Sequence, residues 1–100
     1  MQLPAGIYIK ENSLVARLAA RKLKSVNVAI VFGNTIHLHG VKRNVFLENE
    51  SWVKHELKHV EQYHRYGYWN FLFQYLVEWM KRGYYNNKFE IEARLAEKNV

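Results

Sequence analysis

Residues 51–67 read Ser51-Trp-Val-Lys-His55-Glu56-Leu-Lys-His59-Val-Glu-Gln62-Tyr-His64-Arg-Tyr-Gly67. No proline interrupts this stretch, Asn49 or Ser51 is placed to cap its start and Gly67 to close it, so the spacing predicts one helix. At about 100° per residue, His55 and His59 fall about 40° apart around the axis and one turn apart along it, which lets both imidazoles reach one metal ion. Glu56 lies beside them, where its carboxylate meets water rather than the metal, the position of a general base. Given this chain's His and Glu content, such a pattern arises by chance in about two sequences per hundred, so it is fairly specific on its own.

The surrounding sequence predicts the elements that frame this helix. Gly6 to Lys10 is a short strand candidate, and Asn12 or Ser13 caps a helix on which Leu14, Val15, Leu18, Ala19 and Leu23 recur at helical spacing. Asn27 to Phe32, the turn pair Gly33-Asn34 and Thr35 to His39 read as a β-hairpin. A connector through Gly40, Lys42, Arg43 and Val45-Phe46-Leu47 leads to the histidine helix. A further helix spans Trp69 to Arg82 and ends at Gly83, and a last one spans Lys88 to about Lys98, with Asn87 and Glu90 spaced as a capping box. Strands mixed with one helix, then three helices, predict a single α+β domain over residues 1–100.

Composition narrows the chemistry. With 49% hydrophobic residues, 15% aromatics and one proline, the chain is built to bury a core and is unlike a disordered one. It has no cysteine and no aspartate, so disulfides and thiolate sites are excluded and any metal is held by His and Glu. The +6 charge favours acidic partners by long-range attraction. Its Lys and Arg are scattered, with Arg21-Lys22-Leu23-Lys24 and Lys42-Arg43 forming short clusters, so a basic nucleic-acid-binding domain is an alternative reading but no nucleic acid is expected. The N-terminus lacks a basic start followed by an apolar run, and the apolar stretch from Tyr68 to Val77 is too short to span a membrane, so a soluble, cytoplasmic protein is expected. That helix, 69–82, is apolar on many sides: Trp69, Leu72, Phe73, Leu76 and Met80 form one stripe with Phe71, Tyr75 and Trp79 outside it, which suggests a core helix or a self-association surface.

A catalytic zinc takes three protein ligands, so a third is needed. His64 lies about 140° from His59 around the helix, and His37 and His39 read as ordinary strand residues. Glu90 and Glu92 remain, on a helix that a helical hairpin can fold back against the first; they point about 200° apart. Gln62, three residues after His59, lies on the histidine face, where it either lines the site or is a surface glutamine. Tyr84 and Tyr85 are candidates to donate to a developing oxyanion or to pack the hairpin.

His55-Glu56-Leu57-Lys58-His59 followed by Phe89-Glu90-Ile91-Glu92-Ala93-Arg94 resembles the gluzincin metallopeptidases, and the compact layout is similar to the minigluzincins, minimal soluble scaffolds akin to the catalytic domains of integral-membrane peptidases that process prenylated proteins. The resemblance implies a small zincin-like fold, Zn²⁺ held by His55, His59 and Glu90, Glu56 as base, and endopeptidase activity on peptide or protein substrates. Ala93 matches the family's small residue, whereas Arg94 stands where an aspartate is usual. The resemblance further implies a latent zymogen whose cleft is blocked by its own chain, and substrate held by β-pairing to a hairpin strand, for which Thr35 to His39 is the expected one. A structural-zinc or catalytically degenerate binding module is the alternative.

Overall fold

The computed structural model describes residues 1–98. The elements follow in the order β1 (Tyr8–Lys10), α1 (Leu14–Leu23), β2 (Val28–Phe32), β3 (Thr35–His39), α2 (Arg43–Glu48), α3 (Glu50–Tyr66), α4 (Tyr68–Arg82) and α5 (Lys88–Ala96), an α+β arrangement. The hairpin turn at Gly33 and Asn34 sets the antiparallel register of β2 on β3, Val28 opposite His39 through Phe32 opposite Thr35. β1 adds in parallel to the other edge of β3, giving the order β1-β3-β2.

Thr35–His39 is therefore the central strand, hydrogen-bonded on both sides, and β1 and β2 are the two edge strands. This corrects the expectation that Thr35–His39 flanks the cleft. The hairpin pattern alone does not show which of its strands a third strand will cover; the parallel return of β1 decides it.

Because opposed residues in a ladder share a face, Ala29, Val31, Ile36 and Leu38 form one side of the sheet and Val28, Ile30, His37 and His39 the other. The first side joins Phe46, Val53, Val60, Tyr63, Phe71 and Phe89 in the core. The second lies on the side of α1, whose cap Ser13 accepts from Ala16 N and bonds His37 Nδ1 at 2.9 Å, and whose small Ala16 and Ala20 let the helix approach closely. The connector before α3 contains a short helix, α2, that places Phe46 wholly in the core.

α3 starts at Asn49, whose side chain accepts from Trp52 N, and ends at Gly67 with φ +84°, a left-handed turn that glycine adopts without strain. From that corner α4 packs on α3 through Phe71 and Tyr75, leaving Trp69, Phe73 and Met80 of the longer apolar stripe exposed. Among the described residues, no helix is long and apolar enough to cross a membrane.

Candidate metal centre

The inward face of α3 carries His55, Glu56, His59 and Gln62, all buried, beside the apolar Val53, Val60 and Tyr63 that fix the helix against the core. α5 packs against this same helix. Its N-terminus is capped by the fully buried Asn87, whose Oδ1 accepts from Phe89 N at 2.9 Å while its Nδ2 donates to Tyr75 O. With Asn87 serving as the cap, Glu90 is free to turn inward, and the competition implied by the capping-box spacing goes to the site.

Glu90 Oε1 receives His55 Nε2 at 2.9 Å and His59 Nε2 at 3.1 Å. One ligand atom from each of these three buried residues lies within 4.8 Å of the other two, a group that could hold a metal ion. The remote ring nitrogens are also anchored. His55 Nδ1 lies 2.6 Å from Glu97 Oε2, and His59 Nδ1 lies 2.8 Å from Gln62 Oε1. Gln62 is fully buried and its amide donates to Phe89 O and to Glu92 Oε1, which fixes its oxygen toward His59. Both Nδ1 atoms thus act as donors, so each ring presents Nε2 to Glu90.

The charges agree with this arrangement. Burial disfavours charging His55, but the hydrogen bond it donates to Glu90 and the nearby Glu56 and Glu97 outweigh it and raise its pKa to about 9. His59 is raised likewise, against burial, chiefly by Glu90. Burial pushes Glu90 up, yet bonds from His55, His59 and Tyr75 hold its carboxyl well below the usual range. Positive charge on the two rings, which face one carboxylate oxygen, would do the electrostatic work of a single divalent cation at their junction. Two imidazoles and a carboxylate also form a donor set suited to zinc. The residues fit such an ion.

Glu56 is wholly buried beside the triad, and burial, opposed by His59 and His55, raises its pKa to about 7. A carboxyl with a pKa near neutrality is matched to taking and returning a proton. Tyr75, on α4, donates to Glu90 Oε2, the oxygen the histidines leave unused. Tyr84 is 37% exposed, yet the desolvation of its hydroxyl and the nearby Glu90 and Glu56 push that hydroxyl above the usual tyrosine range, and it lines the cleft with Glu56 and Glu90. Tyr85 is 69% exposed, with the Arg94 guanidinium 4.0 Å from its ring centroid. Arg94 also donates to Tyr85 O. His64 bonds Asn34 on the exposed side of α3.

The sequence alone does not assign Glu97 or Tyr75 to the site. Glu97 had a signal, a third carboxylate seven residues after Glu90 and so close to the same helical face; Tyr75 had none beyond its place in an apolar helix. Comparison with family models, curated proteins and solved structures found no match for this chain.

Proposed function

We propose that the chain is a zinc-dependent endopeptidase of gluzincin type, with His55, His59 and Glu90 holding the ion and Glu56 as general base. The observation that carries the reading is the convergence of both Nε2 atoms on Glu90 Oε1 with an ionisable, fully buried Glu56 alongside. Zinc so held supplies a Lewis acid and brings the pKa of water to near neutrality. The Glu56 carboxylate takes the proton of the attacking water and delivers it to the leaving nitrogen. Tyr75 holds Glu90 through its second oxygen, Gln62 and Glu97 hold the two imidazoles, and Tyr84 lies at the cleft where a hydroxyl can donate to the developing oxyanion. The free edge of β2 takes an extended substrate by adding a strand.

The test is cleavage of an unfolded protein with and without chelator, beside Glu56→Gln. Glu56→Gln should retain about one zinc per chain and lose cleavage by a factor of about 10² or more, the scale of general-base catalysis. Unchanged cleavage by purified, zinc-loaded Glu56→Gln would refute the assignment. The near-complete burial of all three ligands also favours a second reading, a structural metal, since structural sites are closed. That reading expects zinc to raise the melting temperature with no cleavage by the wild-type protein.

A further inference from the structure

The cleft beside the triad differs sharply between its two ends. At the His59 end lies a cavity of about 360 Å³, walled by β2, by Ala19 and Leu23 of α1, and by Leu72, Leu76 and Trp79 of α4. All five residues of β2 line it. Successive strand residues point to opposite faces, so a cavity reached by all five runs along the free edge of the strand. At the His55 end a hollow of about 480 Å³ shares Leu23, Val28 and Ala29 with that cavity and adds Ser25, Asn27, Asn49, Ser51 and Glu97, with Trp52. Glu56 and Tyr84 line both, which puts the base at the divide.

The direction of β2 orders these two ends. Val28 and Ala29 line both hollows, whereas Ile30, Val31 and Phe32 line only the apolar one. The strand therefore runs from the polar end toward the apolar end. A peptide that pairs antiparallel, the geometry slightly more stable per residue, enters with its amino-terminal part along the apolar cavity and leaves past the polar hollow.

From this geometry we infer that the cavity receives a bulky apolar or aromatic side chain on the amino side of the scissile bond, and that Ala19, Leu72 and Leu76 set that preference. The inference rests on the peptidase reading. Its physical basis is the cavity's size, within the range of small-ligand sites and ample for an indole ring, and an apolar wall that rewards removal of apolar surface from water. An alanine side chain leaves most of that wall uncovered.

The test pairs binding with cleavage. N-acetyl-phenylalanine hydroxamate should bind the zinc-loaded protein at least tenfold more tightly than N-acetyl-alanine hydroxamate. Leu76→Trp, at a half-exposed position that tolerates a larger side chain, and Ala19→Phe, from the opposite wall, should each shrink that ratio toward one while leaving zinc content unchanged. Mapping of cut sites in a peptide library should show Phe, Leu, Trp or Met enriched before the cut in the wild type, and Ala or Ser gaining in both variants. Equal binding of the two hydroxamates, a ratio unmoved in both variants, or enrichment after the cut would overturn the inference while leaving a peptidase. Discriminating hydroxamate binding without cleavage of any peptide would instead overturn the peptidase reading and leave an apolar side-chain site.

Discussion

Glu97, the C-cap of α5 and three residues beyond Arg94, holds its Oε2 2.6 Å from His55 Nδ1. The gluzincin pattern that the sequence resembles has an aspartate at the Arg94 position; this chain has no aspartate, and the carboxylate that reaches His55 is the longer Glu97 side chain, one turn further on. Arg94 instead donates to Tyr85 O and covers the Tyr85 ring. A carboxylate on Nδ1 fixes the tautomer and ring orientation and makes the opposite nitrogen a better donor to a metal. Glu97→Ala is therefore expected to weaken zinc binding by about 10- to 100-fold, and Arg94→Ala to leave it unchanged, as read by competition with a chromophoric chelator.

Gln62 holds the other histidine. It is fully buried, its amide is oriented by Phe89 O and Glu92 Oε1, and its own oxygen faces His59 Nδ1. Replacing it with leucine keeps the volume but strands three polar partners. Gln62→Leu should lower stability by about 1–3 kcal/mol by chemical denaturation and weaken zinc binding about tenfold or more, whereas Gln62→Glu, retaining an acceptor, should recover part of the affinity.

Removing the cap of α5 should reach the site through the backbone. Asn87 accepts from Phe89 N and ties the loop to Tyr75 O, all in a fully buried position. Asn87→Ala is expected to cost about 2 kcal/mol, at the upper end for a lost N-cap because a second hydrogen bond goes with it. Zinc affinity should fall as well, since Glu90 then becomes the nearest group able to cap the helix. An unchanged zinc affinity in Asn87→Ala would show that Glu90 is held by the histidines and Tyr75 alone.

The pH dependence should have opposite signs with and without metal. In the chelated protein the His55 pKa is raised to about 9, so its contribution to stability is full below the unfolded value of 6.5 and is lost as pH rises through about 9. Glu56, raised from 4.5 to about 7, acts in the same direction between those values. Zinc must displace the imidazole protons, so its affinity should instead rise with pH, by about tenfold per unit for each proton displaced, the His55 share levelling off above about 9. Melting curves from pH 6 to 9 in chelator should therefore fall while the increment produced by zinc grows; a zinc increment independent of pH would contradict the assignment of His55 and His59 as ligands.

Much of the site is local and hence legible in the sequence. His55 and His59 share a direction because four residues nearly complete a helical turn, Glu56 stands beside them for the same reason, and Gln62 follows from the next turn. The hairpin and the α+β class follow from residue alternation, the Gly33-Asn34 turn and the caps at Asn49 and Asn87. What the linear order leaves open are the relations between elements distant in sequence. Whether Glu90 caps its helix or faces the histidines depends on α4 folding back so that Tyr75 and Asn87 lock together. Glu97 meets His55 across 42 positions, and β2 rather than β3 borders the cleft because β1 returns to cover the far edge of β3. Helical spacing sets directions within an element; only packing between elements sets which directions converge.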